Sequence, residues 1–245
     1  MESLSTDILE PVYWNPPWPT LALGVGEIHI WRIPLAPSRA VQIQMQQLLS
    51  PAERERANGF RLPRHRDRYE LAHGAQRTIL AGYLGSAPQE VELAQGPFGK
   101  PLLGGRAQGS VEFNLTHSGN YALLAIARGA ELGIDLEQIH EVSHAQEIAE
   151  RYFSPAERAE LAATPKTHPT PFLRIWTRKE ALAKARGTGL SQGFEALDTV
   201  AYLSPGGHPT GGRYHAVTFF PSPDYIATLA SSRSIALVRL WDFSR

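Results

Sequence analysis

A chain that repeats itself can fold only in ways that accommodate two copies, and this one repeats at an offset of 104 residues. Ser50-Pro51-Ala52-Glu53-Arg54 recurs as Ser154-Pro155-Ala156-Glu157-Arg158. Both segments read as helix starts, with serine as N-cap, proline in the first helical position and glutamate closing a capping box. Without a gap, the same offset lays segment 27–33 on 131–137 and segment 69–85 on 173–189, with Gly85 on Gly189 and Tyr121 on Tyr225. A repeat unit of this length is a whole subdomain rather than a turn of a solenoid. The expectation is an α+β protein of two similar subdomains about a pseudo-twofold axis. An extended arm would occupy residues 1–20, a first subdomain 21–128 and a second 129–245.

Local patterning supports the α+β reading. The arm holds Pro11, Pro16, Pro17 and Pro19 with Trp14 and Trp18 between them, which suits extended chain held down by its tryptophans. Glu27 to Ile33 alternates apolar and polar residues, as a strand does. Ser38 to Leu49 and Arg68 to Gly85 read as helices, and Gly96 to Gly109 as a loop holding Phe98-Gly99-Lys100-Pro101. Strands over 111–115 and 121–127 would flank a turn at His117-Ser118-Gly119-Asn120.

Composition narrows the chemistry. Twenty-four basic side chains balance twenty-four acidic ones, so no overall field points to nucleic acid or an anionic membrane. There is no cysteine, which excludes disulfides, thiolate catalysis and cysteine metal sites. The N-terminus carries Glu2, Asp7 and Glu10 and lacks a basic-then-apolar leader pattern. The longest apolar run, Tyr121 to Ala127, is far too short to span a bilayer. These features lead us to expect a soluble cytoplasmic protein, and an internally duplicated cleft needs no second chain, so a monomer. Seven arginines crowd the stretch from Arg54 to Arg77. They suit phosphate binding and equally suit a solvated helix face.

The two copies differ where charge matters. In Gly133-Ile134-Asp135-Leu136-Glu137 the two carboxylates share one strand face, and Ile134 and Leu136 face the other way into a core. The offset puts Trp31 and Ile33 at the matching places of the first copy, and Gln76 and Leu80 opposite Glu180 and Lys184. A purely structural role would more naturally fall on both copies. Trp176, Glu180 and Lys184 recur at helical spacing, so Glu180 and Lys184 read either as an exposed i,i+4 ion pair or as part of a site. In the second reading Asp135, Glu137 and Glu180 hold a divalent cation such as Mg²⁺ that also engages phosphate oxygens, with Lys184 a turn away. Further phosphate donors would be Lys100, Thr116, His117 and the arginines before the helix at 69–85.

These motifs, in this order, resemble the Sfp-type 4′-phosphopantetheinyl transferases. The matching segments are Phe98-Gly99-Lys100-Pro101, Phe113-Asn114-Leu115-Thr116-His117-Ser118-Gly119, Gly133-Ile134-Asp135-Leu136-Glu137, and Trp176-Thr177-Arg178-Lys179-Glu180-Ala181 with Lys184. Arg151-Tyr152-Phe153-Ser154 also matches the segment before the second capping box, and the likeness covers roughly residues 25 to 230. The resemblance implies coenzyme A in the cleft between two halves and transfer of its 4′-phosphopantetheine arm to a serine of an apo acyl or peptidyl carrier protein. Adenosine 3′,5′-bisphosphate would be released. It further implies Asp135, Glu137 and Glu180 as Mg²⁺ ligands, Glu180 as base for the serine, and Lys184 on the leaving phosphate. Lys100, Thr116 and His117 match phosphate-binding positions, His117 that for the 3′-phosphate, and Arg68 and Arg64 match coenzyme-binding arginines. Tyr121 departs from a common tryptophan, Thr116 from a common serine, and Glu53 from a lysine that some members carry. The rivals are a non-catalytic coenzyme A or carrier-binding module of the same fold, and an acyl transferase that needs no metal.

Overall fold

The computed structural model describes residues 7–9, 12–16, 21–36, 38–164, 169–188, 197–200 and 214–243. Two four-stranded sheets carry the architecture. The first has the order β10-β2-β6-β5, built from β2 (Glu27–Pro34), β5 (Glu112–Ser118), β6 (Tyr121–Ala127) and β10 (Leu237–Asp242). The second has the order β1-β8-β9-β7, built from β1 (Asp7–Leu9), β7 (Leu132–Gln138), β8 (His215–Ser222) and β9 (Tyr225–Ser231). A small hairpin pairs β3 (Leu93–Gln95) with β4 (Pro101–Leu103), the second strand lying inside the segment 96–109 that reads as a loop in sequence. Pro101 begins β4, a place where its missing N–H costs nothing.

The duplication is visible in the ladders. Trp31 pairs with Leu124 in the first copy, and Asp135 with Thr228 in the second. Ile33 pairs with Ala122 as Glu137 does with Ile226. Each pair is carried onto the other by 104 residues, so the strand comparison holds position by position. The terminal strands then cross over, with β10 running parallel beside β2 and β1 parallel beside β8. Trp14 of the arm donates its indole N–H to Pro221 O at 3.0 Å and lies under the Arg32 guanidinium, while Trp18 falls outside the described residues.

The helices are α1 (Arg39–Gln47), α2 (Pro51–Asn58), α3 (Pro63–Leu84), α4 (Ala145–Tyr152), α5 (Pro155–Ala162) and α6 (Thr170–Arg186). Both capping boxes form: Ser50 accepts from Glu53 N, and Ser154 from Glu157 N, each at 3.2 Å. The second carboxylate function of each glutamate was not evident in sequence. Glu53 receives Arg77 of α3 at 2.6 Å, and Glu157 receives Lys179 of α6 at 3.0 Å. Each cation also caps a carbonyl beyond its helix, Val91 O for Arg77 and Leu197 O for Lys179. The structure thus gives Glu53 a structural partner within the chain.

That clamp corrects the helix register. The partners lie 24 residues apart in the first copy and 22 in the second. The helix-ending glycines in left-handed conformation are Gly85 and Gly187, again 102 apart rather than 104, and Gly189 lies outside the described residues. Two residues have been lost between the capping box and α6. The first-copy counterparts of Glu180 and Lys184 are therefore Thr78 and Gly82, not Gln76 and Leu80. The asymmetry of charge between the copies survives the correction.

The sheets are apolar on both faces. Ala122, Leu124 and Ile126 of β6 join Leu71, Ala75 and Ile79 of α3 in one core. Leu123 and Ala125 pack with Ile28, Ile30, Ile134, Leu136 and Leu229 in a second core between the sheets. This explains the unbroken apolar run of β6, which alternation alone would not produce. No helix among the described residues is long and apolar enough to cross a membrane.

Candidate active site

The site forms where β5 of the first half runs beside β7 of the second, under α6. Polar side chains join the two strands. Asn114 Oδ1 accepts from Ile134 N at 2.8 Å, Thr116 Oγ1 donates to Asp135 Oδ1 at 3.2 Å, and Ser118 Oγ donates to Glu137 Oε2 at 2.9 Å. Gln138 N returns a hydrogen bond to Ser118 Oγ at 3.0 Å. Asn114, Thr116 and Ser118 are two residues apart in a strand, so they share one face. β5 extends to Ser118, so Thr116 and His117 belong to the strand and only Gly119-Asn120 form the turn.

Gly133 lets α6 come close. A Cβ at this position would sit 2.0 Å from Ala181 O and 2.4 Å from Ala185 N, distances that no side chain tolerates. The first copy carries His29 at the equivalent position, hydrogen-bonded to Tyr83 of α3, which keeps that helix further off. The close approach delivers Lys184 to Asp135 Oδ1 at 2.6 Å, with Thr116 Oγ1 and Ile134 O each 3.3 Å from the same ammonium. Asp135 is buried, and its Oδ2 has no hydrogen-bond partner.

The carboxylates feel one another. Burial first, then the Asp135 and Glu137 charges, push the Glu180 carboxyl up to about 7 against the pull of Lys184. Burial and then Asp135 likewise raise Glu137, partly offset by the Ser118 hydrogen bond and Lys184. Beside them lies a group of nitrogen-bearing side chains. Partial desolvation lowers the His117 imidazole, and the charges of His73, Lys184 and Arg68 lower it further. Lys184 and Arg68 supply fixed positive charge beside two imidazoles, a setting that suits an anion placed among them.

The structure therefore brings together Asp135, Glu137, Glu180, Lys184, Thr116 and His117. Arg68 is anchored at their edge, donating to Asn120 Oδ1 at 3.2 Å. Arg64 is exposed on the first turn of α3. Lys100 lies elsewhere: its ammonium donates to Leu132 O at 2.9 Å and Ala185 O at 3.4 Å, at the far end of β7. Leu132 and Asp135 are three residues apart along the strand, about 10 Å. Four contributors were missed in sequence: Asn114 and Ser118 as bridges, Gly133 as the point of close approach, and His73, which stacks on Tyr69 at 4.0 Å. The polar residue at every second position of 114–118 was a usable signal for the bridges, and nothing local marked His73.

Three carboxylates against one ammonium leave an excess of two negative charges when all are ionised, and one buried carboxylate oxygen is orphaned. This donor set fits a hard divalent cation with oxygen ligands. Among the described residues, no three such side chains converge on a metal position as they stand. Lys184 would have to release Asp135, and Glu137 and Glu180 would have to turn.

Comparison with known sequences agrees with this geometry. A profile of the 4′-phosphopantetheinyl transferase superfamily matches residues 131–230, and one of the 4′-phosphopantetheinyl transferase N-terminal region matches 34–128. The 4′-phosphopantetheinyl transferase HetI of Nostoc sp. is 36% identical over 219 residues, 89% of this chain and 92% of HetI. The chain belongs to the 4′-phosphopantetheinyl transferase family. Sfp of Bacillus subtilis is 31% identical over 162 residues, covering 61% of this chain and 70% of Sfp. AcpT of Salmonella typhimurium is 38% identical over 114 residues, 46% of this chain and 57% of AcpT. Membership makes this chain an enzyme of the transferase class, in a family that uses coenzyme A as substrate.

Proposed function

We propose that this transferase moves the 4′-phosphopantetheine arm of coenzyme A to a serine of an apo acyl or peptidyl carrier protein, with Mg²⁺, releasing adenosine 3′,5′-bisphosphate. The observation that carries the reading is the charge asymmetry of the duplication. Helix-facing Trp31 and Ile33 of the first copy become Asp135 and Glu137 in the second, and α6 adds Glu180 and Lys184 there alone.

In this reading Asp135, Glu137 and Glu180 hold Mg²⁺, which when bound supplies charge neutralisation at the pyrophosphate. The chain's own groups do the rest. His117 and Arg68 engage coenzyme phosphate, with Arg64 and Lys100 as outer contributors. Thr116 orients Asp135 and presents its hydroxyl to the same cleft. The serine oxygen bonds to the phosphorus that carries pantetheine, the bridging P–O bond breaks, and the electron pair leaves on adenosine 3′,5′-bisphosphate. Glu180 accepts the serine proton. Lys184, released from Asp135, neutralises the departing phosphate. The division at residues 128 and 129 separates a half that binds coenzyme from one that performs the transfer. Soluble, cytoplasmic and monomeric behaviour is part of the same proposal.

The test is direct. The protein is incubated with coenzyme A, Mg²⁺ and several apo carriers, and each carrier is weighed intact. A mass gain of one phosphopantetheine is expected, and its absence on every carrier would overturn the reading.

A further inference from the structure

The turn after β5 is held from the other half of the molecule. Tyr225, the first residue of β9, accepts a hydrogen bond from Asn120 N at 2.9 Å across the junction. Its counterpart by duplication is Tyr121, the first residue of β6, and the two rings meet edge to face at 5.2 Å. Gly119 sits at φ +55°, and a Cβ there would lie 2.3 Å from the Tyr225 hydroxyl and 2.4 Å from Gln138 Oε1. A glycine with positive φ at the first position of a two-residue hairpin loop has the form of a type II′ turn. The hydroxyl is therefore seated directly against the turn backbone. Arg68 holds the same residue from the opposite side through Asn120 Oδ1 at 3.2 Å.

We infer that Tyr225 is a positioning residue for coenzyme binding: its hydroxyl fixes the 118–120 turn, and with it His117 and Ser118, against the second half. This rests on the assignment of His117 to coenzyme phosphate given above. The two strand ends are also coupled through Ser118, which bonds Glu137 and receives Gln138 N. Those two bonds hold Ser118 at the Glu137 end, so a turn loosened at Asn120 would misplace the imidazole while leaving Asp135, Glu180 and Lys184 where they are.

Tyr225→Phe removes only the hydroxyl and keeps the ring against Tyr121 and the buried core. Leaving the Asn120 N–H without its acceptor is expected to weaken coenzyme A binding roughly fivefold to tenfold. The expected kinetic pattern is a raised KM for coenzyme A with kcat and the carrier KM unchanged. Calorimetric titration of coenzyme A into wild type and variant gives the binding readout without turnover, and amide exchange at Asn120 should quicken. Equal affinity in both proteins, or a fall in kcat with affinity preserved, would overturn the inference. Failure of the wild type itself to bind coenzyme A would instead overturn the proposed function.

Discussion

Lys184 donates to Asp135 Oδ1 at 2.6 Å, while Oδ2 of the same carboxylate is buried without a partner. One oxygen is already matched to a positive charge and the other has none. A divalent cation held as proposed would therefore compete with the ammonium for one carboxylate, and each would weaken the other's hold.

The first prediction follows from that competition. Lys184→Met should bind Mn²⁺, used as a paramagnetic probe for Mg²⁺, about tenfold more tightly than wild type in the absence of coenzyme A. The same variant should transfer at least about 100-fold more slowly, because the departing phosphate loses its cation. Electron paramagnetic resonance titration measures the first effect, and the carrier mass assay measures the second. Metal affinity equal to wild type would show that the lysine does not occupy the metal's carboxylate.

Asp135→Ala and Glu180→Gln test the site, and Glu180→Gln does so without testing the fold. Both should lower transfer by roughly 100-fold to 1,000-fold, the cost of losing a preorganised charged group. Glu180→Gln should not lower the thermal midpoint, since it relieves repulsion among the carboxylates. Asp135→Ala, in contrast, also strips Lys184 of its partner and should lower the midpoint. Calorimetry alongside the transfer assay separates the outcomes. Near-normal turnover in both variants would remove the argument for a metal held by these side chains.

Much of this molecule could be read from the chain. The capping boxes are contiguous five-residue signals, and they formed as written at Ser50 and Ser154. The strand register could be read too, because β2 and β7 align without a gap, so Trp31 falls opposite Asp135. The helix register could not. Two residues were lost between Glu157 and Lys179, and an ungapped comparison has no means of seeing a deletion. Lys100 was placed with the phosphate donors by its motif, yet its stem folds back onto Leu132 O and Ala185 O. Which way a long side chain turns depends on carbonyls from distant elements, here 32 and 85 residues away. Gly133 was read as the start of a motif rather than as the point where a helix touches a strand. That contact exists only in three dimensions.

Gly133 gives the third prediction. Gly133→Ala would place a methyl group 2.0 Å from Ala181 O, so α6 must lift off β7. Overpacking of this kind costs about 1–3 kcal/mol or more, and here it falls on backbone that cannot swing aside. Lys184 and Glu180 ride on the displaced helix, so transfer should fall together with stability. Urea unfolding and the mass assay on one preparation would check this. A variant with wild-type stability would mean that the helix and strand can separate freely at this point.

The last prediction concerns acid. Burial would raise the Glu53 carboxyl, but the nearby His73 imidazole and hydrogen bonds from Ser50 N and Arg77 outweigh it and hold the group down at about 2. Of these, the His73 contact is the loosest, an ion-pair separation of 3.7 Å against 2.6 Å for Arg77. A carboxyl with a depressed native value stabilises the fold above its unfolded value of 4.5, and that contribution fades as pH falls from there toward about 2. Urea midpoints of wild type should therefore decline through this window, and Glu53→Gln should be less stable than wild type at pH 7 but converge with it near pH 2. Removing the partner is harsher: Arg77→Ala leaves a buried carboxylate without its guanidinium and should cost roughly 3–5 kcal/mol at pH 7. Because protonation relieves that burden, the Arg77→Ala deficit should shrink in acid, as the Glu53→Gln deficit does. A deficit that stayed constant from pH 7 to pH 3 would show that the clamp acts through packing of the guanidinium and not through its charge.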